Sequence, residues 1–375
     1  MPALHTIAIA GTALRVKEDN GEIVEDIKAL AALTCPVPSP SRDTILLGHG
    51  SGGTLSAQLL HDIFLPAFNN AALSQLNDQA ILEINDSKIA ITTDSFVVQP
   101  LFFPGGDIGS LAVHGTVNDL AMAGAQPLFL SAAFILEEGL PIAVLRRVVD
   151  SMQRAAKAAG VQIVTGDTKV VEKGKGDGLF INTTGIGLVP TGLALSADRV
   201  QPADRVLLSG SIGEHGIAIL AQREGLEFES AIASDTAALH TLVAKMLSSG
   251  ASIRCMRDPT RGGLSSALNE IAAKARVGIE LDESAIPVRQ EVQGACEMLG
   301  LDPLYVANEG KLLAIVEAAS AKNVLAAMRE HPLGRHAQMI GSVSEKHPGL
   351  VIMKTTLGTS RVVDMLAGDQ LPRIC

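Results

Sequence analysis

Short apolar segments alternate with helical segments from Thr44 onward, and this alternation restricts the fold more than any other feature of the chain. AILEI, KIAITTD and FLSAAFIL have the length and residue types of strands, whereas LPIAVLRRVVDSMQRAAKAAG has apolar residues at helical spacing. A second cycle begins at RVLLSG, near Arg205. Strands that alternate with helices predict an α/β or α+β plan in both halves. Because only 3% of the residues are aromatic, the cores must consist mainly of Ala, Val, Leu and Ile.

The pattern divides the 375 residues into four segments. Residues 1–41 form an N-terminal extension, with a predicted strand in TIAIAGTALRV, a short helix in IVEDIKALAAL and a proline-rich linker, and the sequence assigns it no function. Residues 42–190 and 191–360 form two α/β domains, and residues 361–375 form an irregular, mobile tail that ends in Cys375. In the second domain, helices are predicted at 214–223, 235–249, 262–276 and 319–330, and strands at VGIEL, KLLAIVE and QMIGSV.

The charge and cysteine content exclude several classes of partner. Acidic residues outnumber basic ones by 40 to 30, without a basic run, so duplex nucleic acid and anionic membranes are poor partners. The four cysteines form no CxxC pair, which disfavours a structural zinc site. No convincing signal peptide or apolar span of about 20 residues is present, so we expect a cytoplasmic protein.

GHGSGG matches the spacing GxGxxG between a predicted strand, TILL, and a predicted helix, TLSAQLLHDIFLPAF, with a helical face of Leu55, Leu59, Ile63 and Phe64. A dinucleotide-binding fold would need an acidic residue at the end of the second strand, whereas Asp78 precedes that strand. No lysine follows the glycines, which excludes a Walker A loop. Two interpretations remain, a plain flexible turn and a flap whose backbone amides approach a phosphate.

Five aspartates lie beside predicted strand ends or small residues: Asp78, Asp94, Asp119, Asp167 and Asp258. Each of them alone is typical of a turn or a helix cap. Together, carboxylates at strand ends can converge and bind Mg²⁺, which prefers oxygen ligands and bridges the phosphates of a nucleotide.

Three further charged residues are candidates for a site, and two of them, Lys169 and Glu309, also have a plain surface interpretation. Lys169 is either a solvated surface lysine or a contact to phosphate or a substrate carboxylate. Arg261 precedes a predicted helix, whose N-terminus also favours an anion. Glu309 alone is typical of a surface glutamate, and as a general base it would need burial or a partner.

His114 is expected to pack within its helix, and Cys255 and Cys296 are expected to be buried, inert thiols.

Several motifs, in order, resemble the HypE family, the carbamoyl dehydratases of nickel–iron hydrogenase maturation. They are FFPGGDIGSLAVHGTVNDLAMAGAQP, ILEEGLP, IVTGDTKVVEKG, LFINTTGIG, DPTRGGL, ANEGKL, HPLG and PRIC. The resemblance runs from about Gly48 to Cys375 and leaves residues 1–41 outside it. Other members have a cysteine where this chain has His114, so that position receives no catalytic role.

The resemblance implies the two-domain fold of the aminoimidazole ribonucleotide synthetase-like ATP-binding superfamily, in which the first domains of a homodimer share a barrel. It also implies that ATP–Mg²⁺ binds along the aspartates, with the metal held by Asp78, Asp94, Asp119 and Asp167. The remaining nucleotide contacts that it implies are Gly50, Gly52, Asn118, Thr168, Asp258 and Arg261.

The resemblance further implies that Cys375 receives a carbamoyl group from a HypF-type carbamoyltransferase. ATP-dependent dehydration, with hydrolysis to ADP and phosphate, would then give a thiocyanate, the source of cyanide ligands for the hydrogenase iron on a HypC–HypD-type scaffold. In this scheme Glu309 is the base, Lys169 holds its carboxylate and Arg261 balances phosphoryl charge. A mobile tail is needed because one thiol must serve both the transferase and the ATP cleft.

Two alternatives remain open. A selenophosphate synthetase would carry a reactive cysteine or selenocysteine near a lysine in the glycine loop, and TILLGHGSGGT contains neither. A catalytically silent binding module of the same fold would dock its tail on a partner and turn over no ATP.

Overall fold

The computed structural model describes residues 8–9, 12–13, 44–68, 70–226, 228, 232–368, 371 and 373–375. The chain divides into two compact units, Met1–Ile45 and Leu46–Cys375. In the first unit, strands β1 (Ala8–Ile9) and β2 (Thr12–Ala13) pair antiparallel, within the segment predicted as a strand. The helix and linker predicted for the rest of residues 1–41 lie outside the described residues.

A five-stranded sheet forms the first half of the second unit, in the order β3-β4-β9-β7-β8. Only the pairing of β7 with β8 is parallel within this sheet. Its strands are β3 (Ala80–Ile84), β4 (Ser87–Phe96), β7 (Gln126–Glu137), β8 (Gln162–Val171) and β9 (Leu179–Val189), and β5 (Phe102–Phe103) and β6 (Gly106–Asp107) form a separate short pair.

The two faces of this sheet differ in burial. Helices α3 (Ile108–Met122) and α4 (Ile142–Ala159) contribute to the core that includes Phe96, Leu130 and Ile181. Inward-facing residues alternate with partly exposed ones along β9, as expected for a strand covered on one face. Apolar side chains remain exposed on the sheet at Phe129, Ile135, Ile163, Val164, Val170, Ile186 and Leu188.

A seven-stranded sheet forms the second half, in the order β11-β13-β10-β14-β12-β15-β16. Its strands are β10 (Arg205–Leu208), β11 (Ile253–Arg257), β12 (Gly278–Asp282), β13 (Leu313–Val316), β14 (Gln338–Ser344), β15 (Val351–Lys354) and β16 (Ser360–Val362). Its helices are α5 (Glu214–Glu224), α6 (His240–Leu247), α7 (Gly263–Ala275), α8 (Gln290–Leu299) and α9 (Ala321–Arg329). The mixed α/β plan predicted for both halves is confirmed.

The sequence prediction is wrong around the glycine-rich turn. The described residues directly before it, 44–46, form no strand, and Leu47–Gly50 forms a short 3-10 turn. The following helix is present as α1 (Thr54–Leu59), a π-helical turn (Leu60–Phe64) and α2 (Leu65–Phe68). Its predicted apolar face is only half-buried at Leu55 and Leu59 and is exposed at Ile63 and Phe64.

Other differences concern where elements begin and end. Strand β8 runs through the segment TGDTK, in register with β7, as far as Val171. Helix α6 begins at His240, not at 235, and strand β11 and helix α8 were not predicted. Within the described residues, no helix is long and apolar enough to cross a membrane.

Candidate active site

Four of the five predicted aspartates meet in one cleft. Asp78, Asp94, Asp119 and Asp258 line a cavity of about 210 Å³. They arrive from four places in the fold: Asp78 just before β3, Asp94 near the end of β4, Asp119 on α3 and Asp258 directly after β11. Arg261, Glu309 and Cys375 also line this cavity. The cleft therefore combines residues of both sheets with the last residue of the chain.

Hydrogen bonds hold two of these carboxylates in place. Thr92, buried on β4, donates to Oδ2 of Asp119 at 2.6 Å. Asp78 forms an ion pair with the guanidinium of Arg257, which also donates to the carbonyl of Leu76 at 2.7 Å. Since Arg257 ends β11, this pair fixes the loop before β3 against the second sheet.

The cleft is acidic and poorly solvated. Burial raises the pKa of Asp94, and it raises the pKa values of Asp119 and Asp258 well above the ordinary range for a carboxyl group. The charges of neighbouring carboxylates add to that effect, whereas the charge of Arg261 lowers the pKa of Asp94. A cation placed among these groups would stabilise their ionised forms.

Glu309 is buried, contrary to the surface glutamate that its local sequence suggests, with only 3% of its area exposed. Burial raises its pKa well above the usual range, and the charges of Asp258 and Asp94 raise it further. Its Oε1 atom is buried without a hydrogen-bond partner among the described residues. Its backbone N–H donates to Asp235 at 3.0 Å, which fixes the position of the residue. Glu309 is therefore a positioned carboxyl group with one oxygen available to a ligand.

Asn118 supports the cleft from behind and is not among the residues that line it. Its Nδ2 atom donates to the carbonyl oxygens of Ala237 at 3.0 Å and Glu309 at 3.2 Å. Its Oδ1 atom accepts from the backbone N–H of Leu239 at 2.8 Å. These contacts fasten α3 to two loops of the second half, so the side chain of Asn118 is occupied by protein groups.

The glycine-rich turn lies against Arg261. The guanidinium donates to the carbonyl of Gly50 at 3.3 Å. Gly52 has a φ of +73°, and a Cβ atom there would lie 2.8 Å from the Cβ of Arg261, so a larger residue would be strained and would clash. Gly50 lines a second cavity, of about 240 Å³, which shares Arg261 and Cys375 with the acidic cleft.

Cys375 is buried, with 9% of its area exposed. Burial raises the pKa of its thiol to about 12, with opposing effects from the charge of Arg261, which lowers it, and those of Glu309 and Asp94, which raise it. The thiol in this position is therefore neutral near pH 7. Cys255 and Cys296 are buried as predicted, and burial raises the pKa of their thiols to about 12 and about 11.

Asp167, Thr168 and Lys169 do not reach this cleft within one chain. They lie on β8, whose residues are nearly all exposed, and are not among the residues that line the cavity. The Nζ atom of Lys169 contacts Oδ2 of Asp167 at 2.6 Å, with the two side chains 69% and 62% exposed.

His114 is half-buried on α3, where its Nδ1 atom lies 3.1 Å from Oγ1 of Thr236. Burial lowers the pKa of His114 to about 4, so the ring is neutral near pH 7. It thus packs against a loop of the second half and not only within its own helix.

Four residues that position the cleft were not predicted from the sequence: Arg257, His215, Asp235 and Lys311. Asp235 accepts from Nζ of Lys311 at 2.9 Å in a nearly buried ion pair. An arginine directly before Asp258, in a strand with buried neighbours, was a usable signal for Arg257. The other partners are far apart in sequence, and no local pattern connects them.

The oxygen-rich lining suits Mg²⁺ bound together with phosphate. Among the described residues, no three or more His, Cys, Asp or Glu side chains form a ready metal cage. Mg²⁺ keeps several waters and typically uses one or two carboxylates plus substrate phosphates, so it does not need such a cage. Burial and mutual repulsion disfavour the ionised forms of these carboxylates. Because a cation would stabilise the ionised forms, the carboxylates fit that role.

Comparisons with known proteins agree with this geometry. Models of the AIR synthase related protein N-terminal and C-terminal domains match residues 76–189 and 201–353. The carbamoyl dehydratase HypE of Azotobacter vinelandii is 61% identical over 327 residues, which cover 87% of this chain and 96% of the relative.

Two solved structures are also similar. A hydrogenase maturation protein HypE in complex with ATP has a TM-score of 0.75 and 52% identity, covering 88% of this chain and 100% of its own. A HypE–HypF complex contains a chain with a TM-score of 0.78 and 49% identity, covering 82% of this chain and 99% of its own.

Proposed function

The chain belongs to the HypE family of carbamoyl dehydratases, within the AIR synthase related proteins, and we propose that it dehydrates an S-carbamoyl group on its own Cys375. The reaction converts the carbamoyl thioester and ATP into a thiocyanate, ADP and phosphate. The carbamoyl oxygen leaves with the phosphoryl group, and both nitrogen protons are removed. The thiocyanate supplies cyanide ligands to the iron centre of nickel–iron hydrogenase.

One observation carries this proposal: the terminal sulfur lies in the same cleft as the carboxylates and Glu309. A free thiol at a chain end has no structural need for a buried acidic cleft. As the carrier of a reacting carbon, it must lie where nucleotide phosphates can be bound. The solved ATP complex of a similar HypE supports ATP as the nucleotide.

Glu309 is proposed as the base that takes a proton from the carbamoyl nitrogen. Its unpartnered Oε1 faces no competing protein donor among the described residues, so a substrate N–H can donate to it. The raised pKa of Glu309 matches a group that must bind a proton and later release it. Arg261, already beside the sulfur, is proposed to balance the charge of the transferred phosphoryl group.

ATP supplies the phosphoryl group that makes the carbamoyl oxygen a good leaving group. We propose that Mg²⁺ is held by one or two of the cleft aspartates, with Gly50 and Gly52 of the glycine-rich turn close to the phosphates. Asp167, Thr168 and Lys169 are proposed to act on ATP–Mg²⁺ and on Glu309 from a second chain, because they lie on exposed β8.

The proposed partners follow from the same reaction. A HypF-type carbamoyltransferase loads Cys375, and the solved HypE–HypF complex supports that partner. A HypC–HypD-type iron scaffold receives the cyanide. Two copies of this chain are proposed to pair through the exposed apolar side chains of the five-stranded sheet, because an exposed apolar patch of this kind is typical of a protein–protein interface.

Intact mass spectrometry tests the dehydration directly. After carbamoylation by the transferase, the wild-type chain should lose one water only when ATP and Mg²⁺ are both present. Cys375→Ala should still bind ATP but accept no carbamoyl group, whereas Cys296→Ala, a matched buried thiol, should behave as wild type. A carbamoylated chain that keeps its water under all conditions would instead indicate a silent binding module.

A further inference from the structure

The last residues of the tail are held by main-chain hydrogen bonds, in addition to the contacts of the Arg373 side chain with the carbonyl of Val97 and with Asp177. The N–H of Val97 donates to the backbone oxygen of Cys375 at 2.9 Å, and the N–H of Gln99 donates to the carbonyl of Arg373 at 3.2 Å. Arg223 on α5 joins the two sides, because it donates to the carbonyls of Gln99 at 2.9 Å and Arg373 at 2.6 Å. The tail thus pairs with the segment after β4 as an added strand does.

His215 makes the contact nearest to the reacting residue. It is fully buried at the start of α5, and its Nε2 atom lies 2.6 Å from the carbonyl oxygen of Ile374. A carbonyl oxygen only accepts, so Nε2 carries the proton and donates. Burial lowers the pKa of His215 and keeps the ring neutral.

A second hydrogen bond fixes the orientation of that ring. The Nδ1 atom of His215 lies 2.7 Å from Oγ of Ser234, and this oxygen already accepts from the N–H of Thr236 at 3.1 Å. Because Nε2 carries the single proton of the neutral ring, Nδ1 accepts, and the Ser234 hydroxyl donates to it. The edge-to-face contact of Phe103 with the imidazole, at 5.7 Å between centroids, restrains the ring further.

We propose that His215 is a positioning residue for dehydration: together with Val97, Gln99 and Arg223 it forms a tail groove that recognises the main chain of residues 373–375. This inference rests on the proposed function, in which the sulfur must leave the cleft to be loaded and must then return. His215 bonds to the carbonyl of Ile374, one residue before Cys375. This hydrogen bond involves no atom of any group that the sulfur carries. The groove can therefore receive the tail whether the sulfur is free, carbamoylated or converted to thiocyanate.

The experiment measures how often the tail leaves the groove in the full-length chain. Iodoacetamide should alkylate Cys375 only in the undocked tail, and peptide mass spectrometry reads that position separately from the other cysteines. His215→Leu removes the donor to Ile374, and alkylation should become roughly tenfold faster, the effect of losing one buried hydrogen bond. His215→Gln, whose amide nitrogen can replace Nε2, should restore a rate near that of wild type.

His114→Leu is the matched control, because His114 is half-buried and also contacts the loop 234–236, but has no contact with the tail among the described residues. Its alkylation rate should equal that of wild type. Equal rates in His215→Leu and His114→Leu, or no rescue by glutamine, would overturn the proposal. If His215→Leu is unfolded by circular dichroism, Ser234→Ala replaces it, with an expected increase of roughly threefold, and no increase would equally overturn the proposal.

The two half-reactions provide a readout that a folding defect would not produce. In His215→Leu, carbamoylation by the transferase should become faster while dehydration becomes slower, whereas a damaged fold lowers both rates. A fall in both rates contradicts the proposal. Absence of dehydration in the wild type, with the alkylation pattern intact, would refute the proposed function and leave the tail groove standing.

Discussion

The alkylation of Cys375 should depend on pH in a way that separates a docked thiol from a free one. Burial raises the pKa of this thiol to about 12 from an ordinary value of 9.0. The difference corresponds to about 4 kcal/mol in favour of the neutral thiol in the docked tail. The pKa of the Cys375 thiol is higher in the docked tail than in the free tail. The affinity of the tail for its groove is therefore greatest below pH 9.0 and falls as pH rises towards about 12.

This linkage predicts the shape of the rate profile. Only the thiolate of an undocked tail reacts, so its rate rises about tenfold per pH unit. A free thiol levels off once it is ionised. In the intact protein the rate should continue to rise above pH 9.0, until the undocked thiolate becomes the main species. The apparent pKa should therefore lie between 9.0 and about 12.

The assay is a series of short iodoacetamide pulses from near neutral pH to roughly pH 11, without Mg²⁺ and with the synthetic peptide LPRIC as the free-thiol reference. Circular dichroism at each pH ensures that the fold persists. His215→Leu should lower the apparent pKa of Cys375 by about one unit. If docking is tenfold weaker, ionisation of the thiol releases the tail at a pH about one unit lower. A wild-type profile that levels off with the peptide would refute the reasoning.

Two further predictions concern the base and the assembly. Glu309→Gln should accept the carbamoyl group and accumulate it, because loss of the proton acceptor slows dehydration about 10²- to 10⁴-fold. Intact mass spectrometry measures the carbamoylated chain. Dehydration at the normal rate would exclude Glu309 as the base. Val164→Glu places a charge on β8 at a position that is 57% exposed in the single chain. The molar mass measured by light scattering should fall from that of a dimer to that of a monomer. An unchanged mass would exclude this face as the interface.

The elements that the sequence predicted correctly have strong local signals. β4 contains a short run with the residue types of a strand, and the amphipathic helix α4 has apolar residues at helical spacing. The glycine-rich turn was predicted less well, because the short apolar run TILL resembles a strand although no partner strand is present in the described part of the chain. Pairing, and not composition, decides whether such a run becomes a strand.

The aspartates show what local sequence can indicate about a cleft. Asp78, Asp94, Asp119 and Asp258 converge because elements from both sheets end or pass there. Asp167 has equally suggestive neighbours, yet hydrogen bonds to β7 continue past it, opposite Ala133, and keep it on an exposed strand. The sequence could predict that carboxylates gather, but not which of them share one chain's cleft.

The contacts that complete the site were beyond any local pattern. The Arg257–Asp78 pair joins residues 179 positions apart, and the His215–Ile374 hydrogen bond spans 159 positions. The neighbours of each residue do not indicate which distant residue it contacts. Such contacts follow only from the arrangement of the two sheets, which determines what each buried polar group can reach.

The tail groove and the cleft depend on that same arrangement. Val97 and Gln99 follow β4 of the first sheet, whereas His215 and Arg223 lie on α5 of the second half. The cleft is divided in the same way, with Asp94 contributed by the first half. Any movement that separates the halves therefore releases the tail as it opens the cleft. In the proposed mechanism the cleft carboxylates hold the Mg²⁺ that binds the phosphates, so the sulfur would be docked only when that site is assembled, and the proposed loading and dehydration would take place at different positions of the tail.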